Sequence, residues 1–165
     1  MKTLFVAILA IFTCSAGMCQ NQQKVSELVD IGYQEYESGD YRSAIDFFNR
    51  ALQRDPDNPE AYYLMGVCQS QIGDNWAAIS AYNNALEIKP EYPEAYYEKG
   101  YSYFMLNQYE EAIASFDEAL KLRPDYALAL INRGSIKCIQ GKVDEAAEDW
   151  EKAREMGSDV PVECE

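Results

Sequence analysis

The sequence predicts an all-α solenoid of four stacked helix pairs, and three observations lead to that prediction. The segment PEAYY begins at Pro59 and again at Pro93, so its two copies lie 34 residues apart. Apolar residues recur at i, i+4 and i+7, the spacing of one helical face, and no strand pattern interrupts them. Glycine, alanine and aromatic residues return at the same places in successive segments. Self-similarity at such a period indicates a chain of repeated supersecondary units.

Residues 1–19 differ from the rest of the chain and have the features of a secretory signal peptide. Lys2 is their only charged residue, Leu4–Phe12 is an unbroken apolar run, and small residues follow it. Nine apolar residues are too few to cross a bilayer as a helix, which needs about 20. We therefore expect export, removal of residues 1–19, and a periplasmic or secreted protein in which residues 20–24 form a linker. A retained membrane anchor is the alternative.

Four segments of equal length then align without a gap, and they are 25–58, 59–92, 93–126 and 127–160. Each contains two stretches of helical periodicity with a short polar turn between them. The recurring residues are Gly32, Gly66, Gly100 and Gly134 in the first stretch, and in the second Ala44, Ala78, Ala112 and Ala146, then Phe48, Tyr82, Phe116 and Trp150, then Ala51, Ala85, Ala119 and Ala153. Glycine opposite alanine allows two helices to approach closely, and the aromatic ring fills the space beside them.

Glycine and proline also predict where the helices end and begin. Gly39, Gly73 and Gly141 lie where each first helix must stop and the chain reverse, a position that favours a positive φ. Pro59 and Pro93 lie at helix starts, where the missing N–H costs no hydrogen bond. One helix pair cannot bury both of its faces, so the pairs must stack on one another. Residues 161–165 remain as a C-terminal tail.

These columns resemble the tetratricopeptide repeat (TPR) family, and the resemblance covers residues 25 to about 157. It implies a right-handed superhelix in which the first helix of each repeat lines a concave surface, where extended peptides or partner helices bind. The sequence departs from the family pattern mainly at its ends. The first three repeats close with a proline, and Ser158 stands at the corresponding place in the fourth. The aromatic residue that usually ends the first helix is kept only at Tyr103 and is replaced by Glu35, Gln69 and Lys137.

The first helices carry a second apolar stripe, one residue beyond the stripe that packs inside each pair. In the third repeat it consists of Tyr97, Tyr101 and Phe104, again at i, i+4 and i+7. We predict a peptide-binding groove formed by Tyr33, Tyr36, Tyr63, Val67, Glu94, Tyr97, Glu98, Tyr101, Phe104, Ile131 and Asn132. Tyrosine combines apolar area with a hydroxyl group at low entropy cost, which suits a binding surface. The alternative is that these side chains pack between neighbouring first helices.

Some members of the family bind the acidic C-terminus of cytosolic chaperones through Lys, Asn and Arg side chains on the first helices. The matching positions of this sequence hold Val29, Tyr33, Leu64, Glu94 and Glu98, none of which is basic or Asn. The resemblance therefore does not extend to that clamp. Two carboxylates beside tyrosines instead predict a protein or peptide partner that is apolar and carries some positive charge.

Composition argues against several other functions. The chain has 14 Lys and Arg, 28 Asp and Glu and no His, and a net charge of −14 that repels nucleic acid and anionic lipid. Without histidine, Ser-His-Asp and Cys-His catalysis and most zinc sites are excluded. We expect the acidic pairs at 110–111, 117–118 and 144–145 on solvated helix faces. The sequence thus predicts no catalysis, no cofactor, no metal site and no small-molecule substrate.

Three cysteines, Cys68, Cys138 and Cys164, follow the predicted signal peptide. An odd number without a CxxC pair predicts neither a disulfide framework nor a zinc site. We expect Cys68 and Cys138 to be buried thiols and Cys164 a thiol of the tail. Export leaves a disulfide between Cys138 and Cys164 open as the alternative.

The predicted function is that of a non-catalytic adaptor or assembly factor outside the cytoplasm. The alternative is a structural component that docks through an uncapped fourth repeat, since no further helix covers Leu130, Ala147 and Trp150. Val160, at the end of the fourth repeat, and Val162, in the tail, are expected to cover that surface as an extended strap, unless another protein does. The flank of Asp144, Glu145, Glu148 and Asp149 opposes symmetric pairing by like-charge repulsion, so we expect a monomer.

Overall fold

The computed structural model describes residues 24–160 and Cys164, and these form eight α-helices. The predicted signal peptide and Val162 of the predicted strap lie outside the described residues. The helices are α1 Val25–Ser38, α2 Tyr41–Leu52, α3 Pro59–Gln71, α4 Asn75–Ile88, α5 Pro93–Met105, α6 Tyr109–Leu122, α7 Ala127–Ile139 and α8 Val143–Glu155. Each 34-residue segment contains one helix pair. No helix in the described ranges is long and apolar enough to span a membrane.

The helices pack in the order of the chain. Each helix contacts the next one, and the first helices of the pairs, α1, α3, α5 and α7, also contact one another in succession. Contacts that reach only the neighbouring repeat are the defining property of a solenoid. The predicted all-α solenoid of four helix pairs is confirmed, and its first helices lie side by side in one layer.

Short polar residues begin several helices, and positive backbone angles end the first helix of each pair. The side chains of Asp40, Asn58 and Asp74 accept hydrogen bonds from backbone N–H groups three residues later, at 3.0, 2.9 and 3.2 Å. The turns within the pairs contain Gly39, Gly73 and Gly141 at φ of 85°, 84° and 76°, as predicted. Asn107 takes the equivalent place in the third pair at φ 59°, a region that asparagine tolerates better than most residues.

The glycine column marks the closest approach of the two helices in each pair. A Cβ atom added to Gly100 would lie 2.8 Å from Cε1 of Phe116 and 3.2 Å from the backbone oxygen of Ala112. The aromatic column is correspondingly buried, with no exposed area at Phe48, Tyr82 and Phe116. The predicted contact of glycine with alanine and an aromatic ring is confirmed in the third pair.

The fourth pair contains a buried carboxylate that contradicts the prediction of an exposed acidic flank. Asp149 is 2% exposed, accepts a hydrogen bond from Nε of Arg133 at 2.9 Å, and lies 2.9 Å from Nζ of Lys137. Arg133 also reaches Asp117 on α6, at 2.5 Å. Burial alone would raise the pKa of Asp149, but the hydrogen bonds from Arg133 and Lys137 outweigh it and hold that pKa below its ordinary value. Asp149 is buried because Arg133 and Lys137, four residues apart on the same face of α7, both reach it on α8.

The C-terminal end agrees with the predicted strap at Val160 and differs from the prediction at its cysteines. Leu130 and Trp150 are only 3% and 4% exposed, and of the three residues expected at an uncovered surface Ala147 alone is exposed. Val160 packs against the core cluster that contains Leu130. Cys138 and Cys164 are joined in a disulfide, whereas the sequence favoured two free thiols at these positions. Cys68 is a buried free cysteine, as expected.

Candidate functional site

All the predicted groove residues lie on the layer of first helices, but they differ in exposure. Tyr33 on α1 and Tyr101 on α5 are exposed, at 45% and 37%. The remaining members are half-buried, namely Tyr36, Tyr63, Val67, Glu94, Tyr97, Glu98, Phe104, Ile131 and Asn132. The stripe therefore presents two tyrosines to solvent, and its other members are partly covered, as the alternative of packing between neighbouring first helices expects.

Tyr97 belongs to the packed group. Its ring centre lies 4.9 Å from that of Tyr126 and 5.7 Å from that of Phe116, and its hydroxyl accepts a hydrogen bond from Asn132 at 3.1 Å. These contacts connect α5 to α6 and α7. Burial, followed by the negative charge of Glu98, raises the pKa of Tyr97 to about 12, so its hydroxyl is neutral at physiological pH. Tyr97 and Asn132 are thus bonded to each other across two repeats.

Tyr63 occupies the equivalent position one repeat earlier and has equivalent neighbours. Its ring centre lies 5.0 Å from that of Tyr92 and 6.1 Å from that of Tyr82. Tyr92 and Tyr126 are the last residues of their repeats, and the sequence prediction did not include them. Their recurrence at the same interval as the other columns was the signal that could have revealed them. The first-helix layer therefore contains two tyrosine pairs, Tyr63–Tyr92 and Tyr97–Tyr126.

Cations of the chain itself already stack on the two end-of-repeat tyrosines. Nζ of Lys89 lies 4.1 Å from the ring centre of Tyr92, and Cζ of Arg123 lies 4.8 Å from that of Tyr126. Arg123 also forms an ion pair with Glu94. Burial acts to raise the pKa of Glu94, yet the bond from Arg123 keeps it below its ordinary value. The charge of Glu94, which the sequence assigned to a partner, is matched within the chain.

Glu98 differs from Glu94 although it lies one helical turn further along α5. It is half-buried, and no cation or hydrogen-bond donor within the described part of the chain contacts its carboxylate. Burial raises its pKa. Burial is the largest cause of the raised pKa values of five tyrosines, and the charge of Glu98 is a further cause at each of them, namely Tyr36, Tyr63, Tyr82, Tyr97 and Tyr126. The charge of Glu98 therefore acts on tyrosines drawn from all of the first three repeats.

An open cleft of about 500 Å³ lies between α1 and α3, at the other end of the stripe. Its apolar wall includes Tyr33, and its lining consists of Val29, Asp30, Tyr33, Gln34, Glu37, Glu60 and Leu64. Every charged residue of this lining is acidic. The cleft therefore combines apolar surface with a negative field, which favours a partner segment that is apolar and positively charged.

The fourth repeat ends the stripe differently. Cys138 occupies the position that Tyr36 and Phe104 hold in the first and third repeats, and it is the residue bonded to Cys164. Val160 packs on the cluster whose half-buried neighbours include Phe104 and Ile131. The C-terminal tail is therefore fastened to the first-helix layer at its α7 end.

The fold and this surface define a class of protein, the α-solenoids built from helix pairs that present a layer of first helices. Sequence profiles then give the family. The profile described as "Tetratricopeptide repeat" matches residues 93–126, and the one described as "TPR repeat" matches residues 32–73 and 70–107. Together these matches cover more than half of the 165-residue chain. The chain belongs to the tetratricopeptide-repeat family.

Solved structures agree with this assignment. A crystal structure of MamA aligns with a TM-score of 0.81 and 25% sequence identity, over 87% of this chain and 84% of that chain. The structure "MamA 41-end from Desulfovibrio magneticus RS-1" aligns with a TM-score of 0.76 and 24% identity, over 81% and 76%. TTC0263, a thermophilic TPR protein of Thermus thermophilus, aligns with a TM-score of 0.67 and 25% identity, over 78% and 72%. No curated protein sequence matches significantly.

Proposed function

We propose that this protein is a non-catalytic adaptor or assembly factor that binds an extended protein segment on its layer of first helices, outside the cytoplasm. The cleft between α1 and α3 carries the proposal, because it is open, partly apolar and bordered by exposed Tyr33. Exposed Tyr101 lies two repeats further along the same layer. Tetratricopeptide repeats serve protein–protein interaction, which supports a protein rather than a small molecule as the partner.

The acidic residues on the first-helix layer indicate which kind of partner segment it would bind. The charged side chains that line the cleft are Asp30, Glu37 and Glu60, and the whole chain carries a net charge of −14. Such a surface accelerates association with a positively charged segment and disfavours acidic ones. We therefore infer that the partner segment is apolar with some basic residues. Docking through the fourth repeat has less support, since Leu130 and Trp150 are buried.

The extracytoplasmic location rests on residues 1–19. One lysine, a nine-residue apolar run and a small-residue exit are the parts of a signal peptide. The intact mass of the protein purified from its native source tests this part of the proposal. We expect a chain that begins close to Gln20, and a mass that includes Met1 and the following residues would overturn it.

The binding surface is tested with two variants of matched chemistry. The partner is first captured from the exported fraction with the wild-type chain and identified. We expect Tyr33→Ala together with Tyr101→Ala to lose most of the affinity for it, because buried interface aromatics are worth about 2 kcal/mol or more each. Trp76→Ala is the control, since Trp76 is 61% exposed on α4, a second helix. If Trp76→Ala abolished binding and the tyrosine variant did not, the first-helix layer would not be the binding surface.

A further inference from the structure

Two carboxylates one turn apart on the same helix have opposite environments. Glu94 is bonded to Arg123, and its charge is already compensated. Glu98 is half-buried, and among the described residues no cation or donor contacts it. Neither carboxylate oxygen of Glu98 is among the fully buried, unpaired polar atoms of the described residues, so an incoming group can reach them. A half-buried carboxylate without a partner is weakly solvated and gains from an ion pair.

The surroundings of Glu98 suit a positive charge. α5 lies between α3 and α7, with the Tyr63–Tyr92 pair toward one neighbour and the Tyr97–Tyr126 pair toward the other. Aromatic faces attract cations through their quadrupoles. Tyr92 and Tyr126 already do so with Lys89 and Arg123, at 4.1 and 4.8 Å. A cation beside Glu98 would thus gain a half-buried ion pair on the helix that carries Tyr97, between the two tyrosine pairs.

From this geometry we propose that Glu98 binds one cationic side chain, a lysine or an arginine, of the segment held on the first-helix layer. The inference rests on the proposed function, and it names the contact that orients the segment. A metal ion does not fit the same place, because no cluster of three potential ligands occurs in the described part of the chain. A neutral donor would leave the carboxylate charge uncompensated, whereas an ammonium or guanidinium group both donates hydrogen bonds and cancels it.

Charge elsewhere on the layer is consistent with this occupant. The cleft between α1 and α3 is bordered by Asp30, Glu37 and Glu60, so a basic segment meets acidic residues along its path to Glu98. Those residues lie on the exposed part of the layer, where salt screens them. Glu98 is half-buried, and the ion pair that it forms is screened less. The exposed carboxylates would steer the segment, and Glu98 would fix its register.

The test uses a random-peptide phage library panned on the chain from Gln20 to Glu165. We expect the wild-type chain to select peptides with one Lys or Arg beside apolar residues. The Glu98→Gln variant should lose the selection for the basic residue and keep the selection for apolar ones. Glu94→Gln is the matched control, because the same change is made one turn away at a carboxylate that Arg123 already occupies. It should select the same basic peptides as the wild type.

A double-mutant cycle with one selected peptide makes the result quantitative. Glu98→Gln should weaken that peptide about tenfold or more, and replacing its Lys or Arg by Gln should cause no further loss. Circular dichroism should show a melting temperature for Glu98→Gln equal to or above that of the wild type, which excludes misfolding as the cause. Peptides without a basic residue, or an unaffected Glu98→Gln variant, would overturn the cation site alone. A wild-type chain that selects no peptide would overturn the proposed function with it.

Discussion

The amide of Asn132 on α7 donates a hydrogen bond to the hydroxyl of Tyr97 on α5, at 3.1 Å. The sequence predicts both residues as independent ligand contacts of the groove. In the structure they form a contact between the third and fourth repeats. Solenoids derive much of their stability from such contacts between neighbouring repeats. The distinction between a residue that binds a partner and a residue that joins repeats can be tested at this position.

We expect Tyr97→Phe to lower the free energy of unfolding by about 1 kcal/mol, the usual net value of a hydrogen bond in a folded protein. Urea denaturation followed by circular dichroism measures it. Tyr33→Phe is the control, because Tyr33 is 45% exposed and water can serve its hydroxyl. Equal losses in the two variants would mean that the bond to Asn132 does not stabilise the fold.

Gly100→Leu should destabilise the third helix pair by about 1–3 kcal/mol or more, because even a Cβ atom at this position lies 2.8 Å from Phe116. The backbone of Ala112, at 3.2 Å, leaves little room for adjustment. Thermal melts provide the measurement. Glu111→Leu adds the same side chain at an exposed position of α6 and should change the stability by less than about 0.5 kcal/mol. An unchanged melting temperature for Gly100→Leu would contradict the close helix contact.

Asp149→Asn should destabilise the protein by about 3–5 kcal/mol, since Arg133 and Lys137 would lose the carboxylate that compensates them in a buried site. The pKa of Asp149 is lowered in the folded state. Its contribution is therefore complete above the unfolded pKa of about 4 and is lost as the pH falls through the folded value. Melting temperatures between pH 7 and pH 2 should fall less steeply in the variant than in the wild type. Parallel curves would show that Asp149 does not titrate as described.

The disulfide between Cys138 and Cys164 predicts a specific thiol count. A chain from Gln20 to Glu165, denatured without reductant, should react with a maleimide at one residue, Cys68. Reductant should raise the count to three and lower the melting temperature, because closing a loop of this size stabilises by up to about 2–4 kcal/mol. The double variant Cys138→Ser and Cys164→Ser should melt at the reduced temperature with or without reductant. Three reactive thiols before reduction would contradict the bond.

The fold could be predicted from the sequence because the residues that determine helix contacts and turns recur at the same positions in successive repeats. The glycine column fixes the closest helix contact, and the positive φ angles of Gly39, Gly73 and Gly141 mark the turns. Asp149 could not be predicted in the same way, because an acidic residue in an acidic stretch normally faces water. Its burial depends on Arg133 and Lys137, which lie on a different helix and occur in one repeat only.

The helix periodicity indicated which residues lie on the first-helix layer, but it indicated neither their exposure nor the pairing of their charges. Of the predicted stripe, Tyr33 and Tyr101 are the exposed tyrosines. The sequence treated Glu94 and Glu98 as equivalent because they share one helix face. The two residues differ because Arg123 is bonded to Glu94 and not to Glu98. Arg123 lies 29 residues after Glu94, and helical periodicity does not predict contacts over that separation. Ion pairs that form when the solenoid folds, such as that of Glu94 with Arg123, cannot be read from the helical periodicity of one repeat.

The bond between Cys138 and Cys164 gives the surface a direction. A row of equivalent positions runs along the first helices, and the last of them, Cys138, is already joined to the chain's own tail. In the proposed binding mode, a segment that runs along this row has the disulfide at its α7 end and no equivalent bond at the described part of its α1 end. The two ends of the surface are therefore chemically different, and reversing the order of residues in a peptide should change its affinity.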